Sequence, residues 1–371
     1  MTVVFAGGGT GGHLYPAIAI ADALSARGAR IVFIGSAGRL ESGIVPKAGY
    51  RLHTIAAHPF PRRPSFSLLR AAARNVQGTL QSLRVLAAVR PDVVVATGGY
   101  VCFPVALAAR IRRLLRRDAA KIVLLEPNAA PGLTARLLAP MADEIWGECG
   151  GFAAALRTKC RSTGVPVRAS LREQRSRADA AARLGLDPTL ATLLVLGGSQ
   201  GARTINEALV RAWQSRSIPS GWQVLAVTGE RSYEQVAAAA QTRAGAPFAA
   251  YPYLDDMADA YAVADLVLAR AGASTLSELA ALSLAAILVP YPHATEAHQA
   301  ENARAFESAG AAVIATDDEL ASGGLGELLA QTMQPARLEQ LRAGAKTLQA
   351  DDPLVQILAR VDLLTRGKSE G

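Results

Sequence analysis

The chain opens on Val3-Val4-Phe5-Ala6-Gly7-Gly8-Gly9-Thr10-Gly11-Gly12-His13, in which four apolar residues run into five glycines within six positions. The stretch from Leu14 to Ala26 then has the composition of a helix. Glycines between a strand and a helix leave backbone N–H groups uncovered, and the positive end of the helix attracts an anion. The sequence therefore predicts a strand, a glycine loop and a helix arranged around a phosphate-like group.

A second unit of the same kind begins near the middle of the chain. It reads Leu193-Leu194-Val195-Leu196-Gly197-Gly198-Ser199-Gln200-Gly201-Ala202, and the residues from Arg203 to Arg211 are again helical in character. The two glycine loops lie about 190 residues apart. We therefore predict two nucleotide-binding domains that face one cleft.

The spacing of apolar runs extends this pattern to both halves of the chain. Strands alternate with helices, which is typical of a mostly parallel sheet covered on both faces. We expect an N-terminal domain over 1–163, a C-terminal domain over 164–350, and a final helix over 351–371 that packs back towards the N-terminal domain. Candidate strands lie at 2–6, 30–34, 92–96, 121–125 and 144–147, and at 192–197, 223–227, 247–250, 266–268, 285–289 and 311–314.

Composition narrows the class of protein. Half of the 371 residues are hydrophobic, which excludes a disordered chain. The three cysteines (Cys102, Cys149 and Cys160) are odd in number and widely spaced, which suits buried thiols in a reducing cytoplasm better than a metal site. Neither a signal peptide nor an uncharged apolar run of about 20 residues is visible, so we expect a cytosolic protein.

The net charge of +8 is unevenly distributed. Residues 1–165 contain 21 Lys and Arg against 8 Asp and Glu, a net charge of +13. Residues 166–371 contain 18 against 23, a net charge of −5. A basic half indicates contact with an anionic surface or polymer, and on charge alone both nucleic acid and an anionic membrane qualify.

One segment of the basic half mixes aromatic rings with arginines. It reads His58-Pro59-Phe60-Pro61-Arg62-Arg63-Pro64-Ser65-Phe66-Ser67-Leu68-Leu69-Arg70. Aromatic rings can insert into a lipid surface while neighbouring guanidinium groups bind lipid phosphates, so this segment favours an interfacial membrane contact. A solvated loop that enters a helix would have the same composition. A second arginine cluster comprises Arg110, Arg112, Arg113, Arg116 and Arg117.

The first glycine loop has the glycine spacing of a dinucleotide-binding pattern but not the acidic residue that the pattern requires. The pattern needs an acidic residue at the end of the second strand, and none occurs before Glu41, which argues against NAD. His13, just beyond the glycines, can contact a phosphate or take a proton from a hydroxyl, or it can simply cap or pack the helix. Thr97-Gly98-Gly99-Tyr100-Val101 follows a strand and is either a second ligand-binding rim or a tight turn.

Two polar segments follow predicted strands of the second half. Arg270-Ala271-Gly272-Ala273-Ser274-Thr275-Leu276-Ser277-Glu278 contains a glycine turn, hydroxyls that suit helix capping, and a carboxylate that matches the two hydroxyls of a ribose. Pro290-Tyr291-Pro292-His293, followed by His298, Gln299 and Asn302, forms either a further polar rim or a loop with a helix cap.

Taken together, the motifs at 8–13, 98–101, 197–202 and 272–278 closely resemble the MurG family of peptidoglycan N-acetylglucosaminyltransferases, in order and in separation. The resemblance implies an α/β protein with the GT-B fold, in which two Rossmann-like domains with mostly parallel sheets are separated by a deep cleft. It implies UDP-GlcNAc as donor and undecaprenyl-diphospho-MurNAc-pentapeptide (lipid I) as acceptor, with inverting transfer that gives lipid II. It implies no cofactor, no metal and no nucleic acid. The protein would lie peripherally on the cytoplasmic face of the inner membrane, with cell-wall synthesis and division proteins as partners.

The resemblance also assigns residues by position. The donor contacts would be Thr10, Gly11, Gly12, Asn128, Arg168, Ser199, Leu254, Ala273, Ser274, Thr275, Leu276, Ser277, Glu278 and Gln299. The acceptor diphosphate would meet Gly9, His13, Gly98, Gly99 and Tyr100. The membrane contact would comprise Phe60, Arg62, Arg63, Phe66, Leu69 and Arg70. Our hypothesis for the general base is His13, with Glu126 in reserve.

The chain departs from the family pattern at two places. It reads Leu125-Glu126-Pro127-Asn128 where the family commonly has His-Glu-Gln-Asn, and it has Val165 where the family has Asn. Two other functions stay open: a GT-B lipid glycosyltransferase of the diacylglycerol type, and a UDP-sugar-binding protein without catalysis.

Overall fold

The computed structural model describes residues 1–59, 66–115, 120–147, 149–198, 201–242, 247–254, 256–292, 298–348 and 352–366. The chain forms two compact units. Unit 1 comprises Met1–Arg168 and Asp351–Gly371, and unit 2 comprises Ala169–Ala350. Unit 2 thus begins at Ala169.

Unit 1 is built on a parallel sheet of seven strands. The strands are β1 Thr2–Ala6, β2 Arg30–Ser36, β3 Arg51–Ile55, β4 Val93–Ala96, β5 Lys121–Glu126, β6 Glu144–Gly147 and β7 Cys160–Arg161. Their order across the sheet is β3-β2-β1-β4-β5-β6-β7. The helices of its first stretch are α1 Gly11–Ser25, α2 Leu40–Lys47, α3 Phe66–Val89, α4 Cys102–Leu114 and α5 Leu133–Leu138.

Unit 2 repeats this architecture with six parallel strands. They are β8 Ala191–Leu196, β9 Trp222–Val227, β10 Phe248–Tyr251, β11 Leu266–Ala269, β12 Ala286–Leu288 and β13 Ala312–Ile314, in the order β10-β9-β8-β11-β12-β13. The helices are α6 Arg177–Leu184, α7 Arg203–Gln214, α8 Tyr233–Ala240, α9 Ala258–Val263, α10 Ala273–Leu282, α11 His298–Ser308, α12 Asp317–Ala321, α13 Leu325–Thr332 and α14 Pro335–Thr347.

The central strands are apolar throughout because helices cover both faces of each sheet. In β1, the side chains of Val3 and Phe5 pack into one core cluster with α1, while Val4 and Ala6 pack into another with α4. All four are fully buried. Such continuous apolar runs are characteristic of parallel strands inside α/β proteins.

The strand order creates a switch point in each sheet. β1 lies between β2 and β4, and β8 lies between β9 and β11. In each sheet, the strands that follow the central strand are therefore added first on one side of it and then on the other. In open parallel sheets, ligands bind outside the carboxyl ends of the strands at this point. The first loops to consider are therefore those that follow β1 and β4 in unit 1, and β8 and β11 in unit 2.

The last helix, α15 Pro353–Thr365, belongs to unit 1. It packs on α1, and its residues Ile357 and Val361 are fully buried in the core on that side of the sheet. Arg360 extends this contact, because its guanidinium pairs with the buried carboxylate of Glu144 at the start of β6. Among the described residues, no helix combines the length and the apolar character needed to cross a membrane.

Candidate active site

In unit 1, the loops after β1 and β4 meet at the switch point. Ala6 and Ala96 pair directly, so the loops leave their strands side by side. A β-carbon on Gly7 would overlap the hydroxyl of Thr97, and one on Gly99 would lie 2.6 Å from the carbonyl oxygen of Gly8. The glycines of each loop therefore allow the other loop to approach.

His13 lies in the first turn of α1, where its ring packs against Gly98. A β-carbon on Gly98 would overlap the imidazole, and the backbone φ of +114° at Gly98 suits glycine alone. The N-cap residue Thr10 is exposed and accepts the N–H of His13 at its carbonyl oxygen, 3.3 Å away. The structure thus brings together the histidine and the two glycine loops predicted from the sequence.

Cys102, the first residue of α4, links these loops through the hydrogen bonds of its buried thiol. Its thiol lies 3.0 Å from the carbonyl oxygens of both Ala6 and Gly98, to which it donates. Burial raises the pKa of this thiol to about 12, so it stays protonated and remains a donor at neutral pH. The sequence predicted only a small buried residue here and missed this link.

Glu126 ends β5, the strand next to β4. It is buried, and its Oε1 accepts hydrogen bonds from the backbone N–H and the side-chain amide of Asn128, each at 2.9 Å. These bonds form although Pro127 stands between the two residues. They fix the amide of Asn128 at the carboxyl end of the sheet. The two residues assigned to catalysis and to the sugar are therefore partners of one another.

Arg168 closes unit 1 and packs on the same helix as His13. Its guanidinium carbon lies 4.4 Å from the centre of the Tyr15 ring, a cation–π geometry. Tyr15 in turn lies over Gly11, where an added β-carbon would approach the ring to 3.0 Å. Arg168, which the resemblance placed near the nucleotide, thus belongs to unit 1 and borders the start of α1.

In unit 2, Gly198 and Gly201 of the loop after β8 lie close to one another and to the end of β9. Gly201 donates its N–H to the carbonyl oxygen of Gly198 at 2.9 Å, and a β-carbon on Gly201 would overlap the carbonyl of Thr228 at the end of β9. The loop leads into α7 at Arg203. Ser199, which we assigned to the donor diphosphate, lies outside the described residues.

The loop after β11 enters α10 with Gly272 as the N-cap residue. Ser274 and Thr275 therefore lie in the first turn and do not cap the helix, which was one reading of the sequence. The N–H of Leu276 donates to the carbonyl oxygen of Gly272 at 3.0 Å. The start of an α-helix directs backbone N–H groups and the positive end of the helix dipole outward, which suits an anion at this loop.

Two of the residues assigned to the donor in α10 serve the helix itself. The side chain of Leu276 is buried in unit 2, so a donor contact at this position would be made through its backbone. The hydroxyl of Ser277 donates to the carbonyl oxygen of Ala273 at 2.9 Å, one turn earlier. Both residues stay predicted donor contacts.

Glu278 lies two turns into α10 and is held by Tyr261 of α9. The Tyr261 hydroxyl donates to Oε2 of Glu278 at 2.6 Å, and the tyrosine side chain is buried. This bond fixes the orientation of the carboxylate that we assigned to the ribose. Tyr261 gave no signal in the sequence, because it lies 17 positions before Glu278 and no local pattern marks the contact.

Gln299 and Asn302 of α11 connect the loops that follow β11 and β12. Gln299 accepts the N–H of Tyr291 at 2.9 Å, and the side-chain amide of Asn302 donates to the carbonyl oxygen of Ala271 at 3.3 Å. Arg270 supports the same two loops. It pairs with Asp317 at 2.8 Å and lies over the Tyr291 ring, with 5.4 Å from guanidinium carbon to ring centre.

Leu254, assigned to the base of the nucleotide, lies in the coil between β10 and α9 and is partly exposed. Within the described ranges, no group of three or more His, Cys, Asp or Glu side chains is placed to hold a metal ion.

Comparison with known proteins covers both units. The N-terminal domain model of glycosyltransferase family 28 matches residues 3–146, and the C-terminal domain model matches residues 192–356. A Halothermothrix orenii protein named UDP-N-acetylglucosamine–N-acetylmuramyl-(pentapeptide) pyrophosphoryl-undecaprenol N-acetylglucosamine transferase is 39% identical over 94% of this chain and 95% of its own. A Chlorobium luteolum protein of the same name is 41% identical over 97% of this chain and 98% of its own.

A solved structure agrees with these relatives. The crystal structure of Acinetobacter baumannii MurG superposes with a TM-score of 0.74 at 26% identity, covering 98% of this chain and 99% of that one. The chain belongs to the MurG family of glycosyltransferases. The prediction of an α/β GT-B fold with two Rossmann-like, parallel-sheet domains is confirmed.

The residues that depart from the MurG family pattern, Leu125 among them, lie in the interior. Pro127 is buried between Glu126 and Asn128, and Val165 is buried shortly before Arg168. Neither residue offers the polar side chain that the family commonly has there. The hydrogen bonds between Glu126 and Asn128 form regardless, so the local geometry of this loop does not depend on a glutamine at 127.

Proposed function

We propose that the protein transfers N-acetylglucosamine from UDP-GlcNAc to the 4-hydroxyl of MurNAc in undecaprenyl-diphospho-MurNAc-pentapeptide, which converts lipid I to lipid II. The observation that carries this proposal is the 39% identity to a transferase of that name, which runs through both units and 94% of the chain. The glycine loops at both switch points support it, because each gives one sheet an anion-binding edge.

Unit 2 takes the donor in this proposal. The loop after β8 and the first turn of α10 both present backbone N–H groups at helix starts, which suits the diphosphate of UDP. Glu278, fixed by Tyr261, accepts the hydroxyls of the ribose. Gln299 already accepts the N–H of Tyr291 through its carbonyl oxygen, so its NH₂ group is the part that donates to the GlcNAc hydroxyls. Leu254 meets the uracil through its backbone.

Unit 1 takes the diphosphate and MurNAc of the acceptor. Thr10, Gly11 and Gly12, which the resemblance assigns to donor contacts, form the start of α1, and His13 with Gly98 forms the adjoining wall that we assign to the acceptor. Gly99 and Tyr100 continue this wall after β4. The N–H of Gly9 donates to the carboxylate of Glu41 inside the protein, at 3.0 Å. Gly9 therefore contributes to the acceptor site through the conformation of the loop, and its N–H is not directed at the ligand.

The chemistry is a direct displacement at the anomeric carbon. The acceptor hydroxyl attacks from the face opposite UDP, which inverts the configuration and gives a β-linkage. His13 is the base that takes the hydroxyl proton. Glu126 is the less suitable candidate, because its Oε1 already accepts two hydrogen bonds from Asn128. The helix N-termini of unit 2 stabilise the charge that develops on UDP as it leaves.

The first half of α3 supplies the surface for a peripheral membrane contact. Leu69 is 70% exposed, and Leu68, Val76 and Leu80 are also exposed on this helix. Arg70 and Arg74 lie among them and are exposed as well. Apolar side chains interleaved with arginines suit insertion into an anionic lipid surface. Phe60, Arg62 and Arg63 lie outside the described residues, as does the side chain of Phe66.

The second arginine cluster is smaller than the sequence indicated. Arg112 is buried, and Arg113 donates to both carboxylate oxygens of Asp143, at 2.7 and 3.0 Å. These two guanidinium groups serve unit 1 internally. At the end of α4, Leu114 and Leu115 are exposed and add apolar surface instead. Arg116 and Arg117 lie outside the described residues.

Acceptor choice tests the proposal. The protein is incubated with UDP-GlcNAc and either a soluble lipid I analogue or diacylglycerol, and both UDP release and glycolipid formation are measured. Transfer to the lipid I analogue alone supports the proposal. Transfer to diacylglycerol alone would make the protein a different lipid glycosyltransferase, and binding of UDP-GlcNAc without transfer to either would make it a sugar-nucleotide-binding protein.

A further inference from the structure

A buried carboxylate lies beneath the first glycine loop and has no part in the chemistry described above. Glu41 is in the first turn of α2, and its side chain is 0% exposed. Oε1 accepts the N–H of Ser36 at 3.0 Å and the hydroxyl of Ser36 at 2.6 Å. Oε2 accepts the N–H of Gly9 at 3.0 Å. One side chain therefore joins the end of β2 to the loop after β1.

Two neighbouring glycines, which have no side chain, leave room for this carboxylate. A β-carbon on Gly8 would overlap the Glu41 carboxyl group, and a β-carbon on Gly35 would lie 2.7 Å from its Cγ. A glycine of the loop after β1 and a glycine of β2 thus leave the space that the side chain fills. The glycine run at 7–12 consequently serves an internal anion as well as an external ligand.

The carboxylate is ionised in this setting. Burial raises the pKa of Glu41, but the hydrogen bonds from Ser36 and from the backbone N–H groups of Gly9 and Ser36 outweigh burial and leave the pKa below its ordinary value. A charged acceptor forms stronger hydrogen bonds than a neutral one. The Gly9 N–H is therefore firmly held inside the protein.

The contact continues towards the second glycine loop. The hydroxyl of Tyr100, just after Gly98 and Gly99, lies 3.4 Å from the Ser36 hydroxyl. Glu41 and Ser36 therefore connect to both loops that meet at the switch point of unit 1. None of these bonds reaches unit 2.

We propose that Glu41 is a positioning residue for the acceptor. By holding the N–H of Gly9 inward, it fixes the loop so that the amides that follow at the start of α1, and His13 on its first turn, face the acceptor diphosphate and sugar. Ser36 supports the carboxylate and relays its position to Tyr100. This inference rests on the assignment of the acceptor to unit 1.

The test uses the full chain with Glu41→Gln, which keeps the shape of the side chain but turns an NH₂ group towards a backbone donor. We expect kcat/KM for a soluble lipid I analogue to fall about tenfold or more, because one charge-assisted hydrogen bond is lost. The affinity for UDP, measured by calorimetry, should stay within about twofold because the donor site of unit 2 is untouched. Glu41→Asp, which keeps the charge, should recover part of the loss.

A matched control separates positioning from stability. Glu144 is another buried carboxylate of unit 1, bonded to Trp146 and Arg360 at the start of β6, away from the loops at the strand ends. Glu144→Gln should lower the melting temperature and leave the acceptor KM of the folded enzyme unchanged. Unaltered acceptor kinetics in folded Glu41→Gln, or an equal loss of UDP affinity, would overturn the proposal.

Two further measurements keep the test independent of folding and of the proposed reaction. If Glu41→Gln does not fold, Ser36→Ala removes the 2.6 Å hydroxyl donor to Glu41 together with the 3.4 Å contact to Tyr100, and it should lower acceptor kcat/KM by about threefold. No change would contradict the inference. Hydrogen exchange of a peptide over 7–13 should be faster in Glu41→Gln, with β8 unaffected. Unchanged exchange overturns the positioning role, whereas a wild-type chain without transfer overturns only the function.

Discussion

The imidazole of His13 packs against the α-carbon of Gly98, so closely that any β-carbon at position 98 would overlap the ring. This contact joins the two loops at the switch point of unit 1. It also explains why a glycine, with φ of +114°, stands at this position. The placement of the proposed base therefore depends on a residue that has no side chain.

Gly98→Ala should displace the His13 ring and strain the backbone. We expect kcat/KM for the acceptor to fall by about 10²-fold, since small misplacements of reacting groups have effects of this size. Gly43→Ala is the matched control, because a β-carbon there meets no atom within 4 Å. Steady-state kinetics with a lipid I analogue measure both. Equal activity of the Gly98→Ala and Gly43→Ala variants would show that the contact between His13 and Gly98 does not affect catalysis.

His13→Ala tests the base directly. General base catalysis contributes about 10²–10⁴-fold to rates, so kcat at saturating substrates should fall within this range. The UDP affinity should not change, since His13 lies in unit 1 and the donor contacts of unit 2 remain. Near-normal kcat would show that His13 is not the base, and Glu126→Gln would then be expected to abolish turnover.

Glu278→Ala should raise the KM for UDP-GlcNAc more than it lowers kcat, because the ribose contact is made equally in the ground state and the transition state. Tyr261→Phe should produce the same pattern at smaller amplitude, since it removes only the hydrogen bond that orients the carboxylate. Donor titrations at a fixed acceptor concentration measure both variants. A loss confined to kcat would exclude Glu278 from ribose binding.

Membrane attachment through α3 predicts a specific loss of vesicle binding. Replacing Leu68 and Leu69 with Ser should release the protein from anionic vesicles in a flotation assay, while activity on a short-chain soluble acceptor persists. Val355→Ser on α15 provides the control, because Val355 is 63% exposed and Leu69 is 70% exposed. Equal vesicle binding by wild type and the α3 variant would refute the contact.

An ion-pair cluster in unit 2 predicts an acid-dependent stability term. Arg183 and Arg175 bind Asp259, and these hydrogen bonds lower the pKa of Asp259 to about 2. Because the folded pKa lies below the unfolded value, the stabilisation is complete above about pH 4 and declines as the pH falls towards 2. Asp259→Asn should therefore lower the melting temperature at neutral pH, with the difference from wild type shrinking below pH 4. A constant difference at all pH values would contradict this.

The sequence predicted the elements that decide the fold. The apolar runs at β1, β4 and β8 are buried on both faces, so their composition alone identifies them as strands. β3 was missed because it is a short edge strand that carries Arg51 and His53. α2 was missed because Gly43 and Pro46 are poor helix formers, and packing rather than propensity makes this segment helical.

The candidate site was only partly predictable. The glycine loops and His13 carry their own chemical signal and were identified as a set. The contact of Gly9 with Glu41 spans 32 residues, and that of Tyr261 with Glu278 spans 17, so neither leaves a local pattern. The buried side chain of Leu276 depends on the residue at which α10 begins. Contacts between distant residues and the burial of a single side chain follow from the three-dimensional structure and not from a local sequence pattern.

GlcNAc transfer to lipid I is tested by isolating the product that it forms. The full chain is incubated with labelled UDP-GlcNAc and a lipid I analogue, and the labelled product is isolated and its sugar linkage determined. We expect one equivalent of UDP to be released for each β-1,4-linked GlcNAc–MurNAc disaccharide formed on the lipid carrier. Release of UDP without disaccharide, or a disaccharide with retained α-configuration, would contradict it.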